Sequence, residues 1–419
     1  MKQLIYVVFA MLIFVSCSSD EPTQAPAIPT PAEPIELSRS EQEIIDAQKD
    51  FAIDFFKKVY GQELPNHNIL VSPLSMSMAL SMASNGAEGE TLAEIANVLG
   101  FRPTELQSLN SLNKTLLDKL PSVDPTAKVS VANSFWRNQG RNANSDFSKR
   151  LLENYKATAY STNLHSKEGA LDINAWIEKA TDGKIPELLN QGINADFALC
   201  NALYFEGKWT LPFKESQTVR GTFYNSNGTQ SGVYMMGQDE YFDCYLEVGD
   251  DEKHYSDKSN GSAIVRMEYG NGAYAMTFVM PRKDLALSEF VSGMTVSDMA
   301  SWEEKLNEKK IDVRIPRFEC EYGKDDYSEE LKSMGIVKAF TSGAEIPNIL
   351  DINQILGAPV QKCIIKVDES GTKAASATVI PGMDGDVWLD YVVFNRPFMY
   401  YISEQSTGAI LFMGCVNAF

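Results

Sequence analysis

The sequence predicts one α+β domain over residues 40–419, and three observations support this. Apolar side chains recur at helical spacing in the first part of this range. Its last part carries short apolar runs separated by turn residues, which are typical of strands. No internal repeat and no second linker interrupts the chain after residue 40. A single domain of this length is larger than most.

Three helices are expected near the start of the domain. The first begins close to Ser40, where a Ser–Glu pair precedes apolar residues at helical spacing. These apolar residues are Ile44, Ile45, Phe51, Phe55, Phe56 and Val59. The second helix is expected at residues 74–83 and the third at residues 91–99.

Strands are expected later in the chain. Large apolar side chains alternate with smaller ones at Tyr274, Met276, Phe278 and Met280. Short apolar runs follow at residues 392–394, 398–402 and 409–416. The sequence therefore predicts helices early in the domain and strands late.

Composition and charge exclude some classes of function. The chain carries 37 basic and 56 acidic side chains, so its formal net charge is −19. A protein this acidic is not expected to bind nucleic acid through phosphate contacts. With 44% hydrophobic and 22% charged residues, the composition is that of a globular protein.

The first residues have the pattern of an export signal. Lys2 precedes an apolar run over residues 4–16, which is shorter than the roughly 20 residues needed to cross a bilayer. Residues 14–17, Phe-Val-Ser-Cys, resemble a bacterial lipobox, in which Cys17 would carry the lipid. An ordinary cleaved signal that contains a cysteine is the alternative. Residues 1–16 are expected to be the signal peptide.

Residues 17–39 are expected to form a tether that begins at the lipidated Cys17. The segment 18–38 is rich in proline and almost free of large apolar side chains, so it should be an extended spacer. The protein is therefore expected to be exported and held by its lipid as an outer-membrane lipoprotein. Both a periplasmic and a surface-facing orientation are compatible with the sequence.

The remaining cysteines show no metal-binding pattern. Cys200, Cys244, Cys320, Cys363 and Cys415 are far apart and lack CxxC spacing, so zinc and iron–sulfur sites are not expected. Several lie in apolar, strand-like surroundings, where a free cysteine acts as a small core residue. No disulfide is expected.

No enzyme chemistry is expected. The sequence has no GxSxG, HExxH or P-loop motif and no GxGxxG between a strand and a helix. His67, His165 and His254 each stand in polar, loop-like surroundings, so surface positions are expected for all three. No cofactor and no metal is expected.

The most specific indication of fold and function in the sequence is a set of motifs in a fixed order along the chain. The first is the start of an apolar helix, Ser72-Pro73-Leu-Ser75, within residues 68–87. Others follow at residues 174–185, 201–213, 315–318, 331–340, 392–402 and 408–414. Together they resemble the motifs of the serpins, the serine protease inhibitor family, over residues 40–419. The resemblance implies a large central mixed β-sheet, two further sheets, surrounding helices and an exposed reactive centre loop at about residues 370–390.

The resemblance also assigns roles to residues of the main sheet. Ser72, Ser75 and Asn201 match a polar cluster beneath the middle of the sheet, where strands must part and hydrogen bonds can be exchanged. Gln361 stands where family members commonly have a histidine. Trp209 matches a tryptophan at the top of the sheet, where insertion of the loop begins.

The hinge that starts the loop has the family's pattern Glu-x-Gly-Thr-x-Ala-Ala-x-Ala. Its residues are Glu369, Gly371, Thr372, Ala374, Ala375, Ser376 and Ala377. Glu369 and Arg317 match positions that pair as acid and base at the top of the sheet. Long connections of this kind are functional or disordered in most compact domains.

The chemistry of the loop suits its conversion into a strand. Because a strand alternates its faces, every second residue should point inward. These residues are Thr372, Ala374, Ser376, Thr378 and Ile380, whereas the charged Lys373 belongs to the other set. Pro381 departs from the pattern because it cannot donate a backbone hydrogen bond, and Gly382 follows it.

Two peptide bonds are candidates for cleavage by a protease. Counting from the hinge gives Gly385–Asp386. Side-chain chemistry favours Met383–Asp384 instead, since an apolar residue can fill a specificity pocket.

The function implied by the resemblance is suicide inhibition of serine proteases, with cysteine proteases as a second target class. The inhibitor would act as a monomer, form a covalent complex with the protease and need no heparin-type cofactor. Residues 374–395 contain no Lys or Arg, which favours proteases of the elastase, chymotrypsin or subtilisin type. The alternatives are a non-inhibitory serpin that binds or carries a ligand, and a substrate that is cut without trapping the protease.

Overall fold

The computed structural model describes residues 30–249, 252–357, 359–372 and 389–419. Nine helices lie in these ranges: α1 (Arg39–Tyr60), α2 (Pro73–Ser84), α3 (Gly89–Leu99), α4 (Leu106–Lys119), α5 (Ser145–Tyr155), α6 (Lys167–Ala180), α7 (Leu287–Gly293), α8 (Val296–Lys305) and α9 (Ser328–Met334).

The same ranges contain fourteen strands: β1 (Ile69–Val71), β2 (Lys128–Asn138), β3 (Thr158–Thr162), β4 (Phe197–Glu206), β5 (Val219–Tyr224), β6 (Gln230–Leu246), β7 (Ala263–Tyr269), β8 (Tyr274–Met280), β9 (Asn307–Pro316), β10 (Phe318–Lys324), β11 (Gln361–Val367), β12 (Asp390–Val393), β13 (Phe398–Glu404) and β14 (Ile410–Val416). The α+β class is therefore confirmed.

The three expected helices are confirmed as α1, α2 and α3. Helix α1 starts slightly earlier than expected because Ser38 forms a reciprocal capping box with Glu41. Helix α2 begins with Ser72 as N-cap and Pro73 in its first turn. Helix α3 ends at Leu99 and is followed by Gly100, whose left-handed φ of 74° suits glycine.

The expected order of helices before strands was wrong. Helices α7, α8 and α9 lie between residues 287 and 334, and strands β2 to β4 lie between residues 128 and 206. These later helices were hard to predict because they are short and bury few side chains; α8 buries only Met299 and Trp302. The expected strand at residues 274–280 is β8, and all seven of its residues are buried.

One mixed sheet has nine strands, in the order β1-β14-β13-β8-β7-β6-β9-β12 with β5 paired to β6. All its pairs are antiparallel except β12 with β9. Strands β3-β2-β4 form a second group and β10-β11 a third. We call these last two groups together the split sheet, because β4 and β11 line a common gap and no pairing joins them within the described residues.

Helix α2 lies at the centre of the domain and is buried on almost every side. All four of its serines are buried, and the hydroxyls of Ser77, Ser81 and Ser84 each donate to a carbonyl one turn earlier in the helix. These bonds satisfy polar groups that would otherwise be costly to bury. Helix α6 covers the other face of the split sheet, where Ile173 and Ile177 pack with Trp136 of β2.

Residues 32–37 of the expected tether lie against the domain. The backbone N–H of Ala32 donates to the carbonyl of Asn271, and Ile35 is buried with its N–H donating to the Ser406 hydroxyl. Residues 31–419 form one compact unit. The signal peptide and Cys17 fall outside the described residues.

The five cysteines of the described ranges are all unpaired, so the expectation of no disulfide is confirmed there. Burial raises the pKa of the Cys244 thiol to about 11, which keeps it protonated. His67, His165 and His254 are all exposed. Among the described residues, no group of His, Cys, Asp and Glu is arranged to hold a metal ion, and no helix has the length and hydropathy to span a membrane.

Candidate functional site

The split sheet closes at one end, where the hinge lies between its two halves. Gly371 forms antiparallel bridges to Lys208, just beyond β4, and to Asp368, just beyond β11. The N–H of Thr372 donates to the Gly207 carbonyl at 2.7 Å, and Gly371 and Asp368 exchange backbone hydrogen bonds at 3.0 and 3.2 Å. The chain leaving β11 thus turns back, and Gly371 and Thr372 lie between the segments that continue β4 and β11.

The hinge glycine is required by geometry. Gly371 has a φ of 134°, and a Cβ at this position would meet the Gly207 carbonyl oxygen at 2.2 Å. Any other residue would have to adopt a strained backbone and displace β4's continuation.

Thr372 points inward from the hinge. Its side chain is buried, with 5% of the residue exposed, and its hydroxyl lies 3.0 Å from the Tyr269 hydroxyl. Burial raises the pKa of Tyr269 far above its ordinary value, so its hydroxyl stays protonated and able to share this hydrogen bond.

Trp209 closes the top of the split sheet. Its ring stacks on Tyr269 with centroids 4.4 Å apart, and its indole N–H donates to the Asp368 carbonyl at 3.0 Å. Its backbone N–H donates to the Ser370 carbonyl. Trp209 therefore holds the turn that directs the hinge into the sheet.

Glu369, in that turn, pairs with Arg317. The Arg317 Nε lies 2.7 Å from both Glu369 carboxylate oxygens, and the Thr218 hydroxyl also donates to this carboxylate. Burial favours the neutral acid, but the hydrogen bonds from Arg317 and Thr218 outweigh it, so the pKa of Glu369 lies below its usual value. The Arg317 guanidinium also lies over the Tyr234 ring.

The polar cluster lies deeper in the gap between β4 and β11. Gln361, at the start of β11, accepts from the Ser72 N–H and donates to the Ser72 carbonyl, both at 2.9 Å. The Ser72 hydroxyl donates to the Leu411 carbonyl and accepts from the Ser75 N–H. Gln361 therefore binds the backbone of Ser72, the N-cap of α2, through both its amide oxygen and its amide nitrogen.

Asn201 faces the cluster from β4. Its Nδ2 donates to the Asn133 side chain at 2.7 Å, but its Oδ1 is buried and has no hydrogen-bond partner. A buried acceptor without a partner is costly. Asn133 was not predicted from the sequence; an amide in the middle of β2, between Val131 and Phe135, was the available signal.

We call the gap between β4 (Phe197–Glu206) and β11 (Gln361–Val367) the slot. Next to it, a cavity of about 360 Å³ lies between the start of β4 and residues 356, 357, 359 and 360. Met76 and Leu80 of α2 and Leu199 of β4 are among its apolar lining residues, and Asn201 lies at its border with the cluster.

The far end of the loop is anchored on the nine-stranded sheet. Strand β12 pairs in parallel with β9 at its edge. Its first residue, Asp390, has a fully buried side chain that accepts from the Tyr255 N–H and forms an ion pair with Lys309. Ala374, Ala375, Ser376 and Ala377 of the hinge, and both candidate cleavage sites (Met383–Asp384 and Gly385–Asp386), fall outside the described residues.

These features define an α+β domain in which the chain leaves β11, pairs at Gly371 with both halves of the split sheet and re-enters the nine-stranded sheet as β12. The model of the family described as "Serpin (serine protease inhibitor)" matches residues 46–418. The chain belongs to the serpin family.

Relatives and solved structures agree with this assignment. A "Serine protease inhibitor" of Cyanea capillata is 30% identical over 87% of this chain and 95% of its own length. An "Uncharacterized serpin-like protein" of Methanosarcina mazei is 28% identical over 90% of this chain and 87% of its own. The native structure of the thermophilic serpin tengpin matches with a TM-score of 0.78 and 25% identity, covering 93% of this chain and 97% of that one. The fold is thus a large mixed sheet with two further sheets and surrounding helices.

Proposed function

We propose that this serpin is a suicide inhibitor of serine proteases, and that residues 370–390 are its bait. The observation that carries this proposal is the position of the hinge: Gly371 and Thr372 pair with both edges of the split sheet while β12 holds the loop's far end. The loop is in this way poised to enter the sheet once it is cut.

The chemistry follows from this geometry. The protease serine attacks the carbonyl carbon of the scissile bond, the ester forms, and the amine of the following residue leaves with the proton from the catalytic base. The segment ahead of the cut is then free of β12 and inserts between β4 and β11, carrying the esterified protease with it. If insertion distorts the protease before water attacks the ester, the complex stays covalent.

The bait suits proteases with apolar specificity. Val379, Ile380 and Met383 are apolar, and no basic side chain lies between residues 374 and 395. Targets of the elastase, chymotrypsin or subtilisin type follow, and cysteine proteases form a second class because their thioester intermediate can be trapped in the same way.

We also propose that Cys17 is lipidated and attaches the protein to the outer membrane. The lipobox-like residues 14–17 and the proline-rich segment after them support this. Because the chain is acidic, acyl chains rather than charge must supply the attachment.

The experiment that tests the inhibitory role is incubation of the soluble domain with elastase, chymotrypsin, subtilisin and papain. A complex that survives boiling in detergent is expected with at least one of the serine proteases. Complete cleavage of the loop without any such complex would favour a substrate or a non-inhibitory serpin.

A further inference from the structure

The cavity of about 360 Å³ beside the slot has no occupant assigned by the proposed function. We propose that this cavity binds a small apolar ligand that carries a protonated amine, with the apolar part between α2 and β4 and the amine at Asp325. This inference goes beyond the proposed function, and its test does not depend on inhibition of a protease.

Four segments of the chain supply most of the cavity's lining. Helix α2 contributes Met76 and Leu80, and β4 contributes residues 197–201. The linker between α6 and β4 contributes residues 188–195, and the fourth segment contributes residues 356, 357, 359 and 360. Small-molecule sites in proteins are mostly apolar clefts of about 300–1,000 Å³, so this cavity has the size and the surface of such a site.

The surfaces that face the cavity are left partly uncovered by the protein itself. Eleven of the twelve residues of α2 are buried, and the exception is Ala79, which lines the cavity. Residues 198–201 of β4 also line it and are only partly buried, whereas Ala202 and Leu203, next along the strand, are buried. Because protein interiors are normally close-packed, these uncovered surfaces at the centre of the domain indicate space for a further group.

The linker wall of the cavity is held in place by Asn174 of α6. The Asn174 Oδ1 accepts from the N–H groups of Leu188 and Leu189, both at 2.9 Å, and its Nδ2 donates to the Leu189 carbonyl at 2.7 Å. The Ile193 N–H donates to the Leu164 carbonyl at 2.8 Å. These bonds fix a segment that has no helix or strand of its own, so the cavity is formed before a ligand binds and little ordering is needed on binding.

Asp325 determines the charge that the site favours. Among the described residues that line the cavity, it is the only charged one, and it is exposed. Lys324, at the end of β10, pairs with the buried Glu330. Lys362, near the start of β11, pairs with Glu321. Since both lysines are engaged with other carboxylates, an ammonium group is attracted to the mouth of the cavity and a carboxylate is repelled.

Most polar side chains of the cavity lie at its exposed border. Asn190, Gln191 and Asn194 line the cavity and are exposed, and the side-chain carbonyl of each can accept a hydrogen bond from an ammonium group. Toward α2 the lining is apolar, at Met76 and Leu80. A ligand with one polar end and an apolar body fits this distribution, because polar groups elsewhere in the ligand would be buried without partners.

Three probes that share one alkyl chain test the assignment. Octylamine, octanol and octanoate are titrated separately into the purified protein, and binding is measured by isothermal titration calorimetry. We expect octylamine to bind at one molecule per chain and at least about tenfold more tightly than octanoate, with octanol between them. Equal affinities, or tighter binding of octanoate, would contradict the charge assigned from Asp325, and absence of saturable octylamine binding would overturn the proposal.

Substitution of Asp325 separates this site from a general attraction of cations to an acidic protein. Asp325→Asn should weaken octylamine binding about tenfold and leave octanol binding unchanged. Asp326→Asn is the matched control, because Asp326 does not line the cavity and asparagine can still accept from the Ser328 N–H. This control should keep the affinity for octylamine within about twofold. An equal loss in both variants would show that octylamine is held by net charge alone, which would contradict the site.

Filling the cavity tests where the ligand lies. Ala79→Phe adds a ring on the cavity side of α2. Gly357→Leu adds a side chain to another wall, where the new Cβ would lie 3.4 Å from the Ala195 Cβ, an ordinary contact distance. Each variant, checked for folding by circular dichroism, should bind octylamine and octanol at least about tenfold more weakly, because the space is occupied. Undiminished binding of octylamine in either folded variant would overturn the cavity as the site.

Discussion

Replacing Thr372 with arginine should turn the inhibitor into a substrate. Thr372 is 5% exposed, and its hydrogen-bond partners are the Gly207 carbonyl and the Tyr269 hydroxyl, neither of which can neutralise a guanidinium. An uncompensated buried charge costs about 3–5 kcal/mol. At about 1.4 kcal/mol per tenfold change, the conformation in which the hinge lies between β4 and β11 would become less populated by roughly two to three and a half powers of ten.

The Thr372→Arg substitution is expected to change the competition between insertion of the loop and hydrolysis of the ester that joins the loop to the protease. With the first step of insertion disfavoured, we expect at least about ten molecules of Thr372→Arg to be cut for each elastase molecule inactivated. The number is obtained by titrating residual elastase activity, and covalent complex is followed on denaturing gels. Lys373→Arg is the matched control, because the neighbouring residue belongs to the outward set and should leave the stoichiometry unchanged.

The reasoning would be refuted if Thr372→Arg formed covalent complexes at the stoichiometry of the unmodified protein. The hinge position seen between Gly207 and Asp368 would then have no part in trapping. A variant that is not cut at all would be read from the same gels, and its circular dichroism spectrum would show whether it folds.

Three further predictions concern specificity, pH and attachment. Trypsin should not be inhibited, since residues 374–395 offer no basic side chain, and rapid stoichiometric inhibition of trypsin would contradict this. Hydrogen bonds from Arg317 and Thr218 outweigh burial and hold the pKa of Glu369 below its usual value, so the ionised carboxylate stabilises the fold at neutral pH and this stabilisation is lost as the pH falls through that pKa. The melting temperature should therefore drop more steeply on acidification in the unmodified protein than in Glu369→Gln. Parallel melting-temperature profiles of the two proteins would contradict this. Cys17→Ser should move the protein from the membrane fraction to the soluble fraction after cell disruption, and a variant that still sediments with membranes would exclude lipidation at Cys17 as the attachment.

Local sequence patterns were enough to predict the helices and strands that are long or strongly apolar. Helix α1 could be predicted because its buried residues recur at helical spacing. Strands β13 and β14 could be predicted because each contains an apolar run, at residues 398–402 and 410–416, and is buried on both faces. Helix α7 could not be predicted in this way: of its seven residues only Leu287 and Val291 are buried, so it carries little periodicity.

In the candidate site, too, some features could be predicted from the sequence and others could not. Glu369, Gly371 and Thr372 could be singled out from their order in the hinge pattern, whereas residues 374–377 lie outside the described part of the chain and stay a prediction. The unpaired oxygen of Asn201 could not be predicted, since it depends on which groups surround it after folding. The pairing of Gly371 with Lys208 also required the structure, because these two residues are more than 150 positions apart in sequence.

The melting temperature of the protein after a single cut in the loop tests the central claim most directly. Cleavage at one bond between residues 379 and 387, verified by mass spectrometry, frees the hinge side of the loop from β12. About nine residues at roughly 3.3 Å each could then add a central strand about 30 Å long to the split sheet. We predict a sharp rise in melting temperature for the cut protein and no comparable rise for cut Thr372→Arg; an equal or lower melting temperature of the cut, unmodified protein would contradict insertion of the loop.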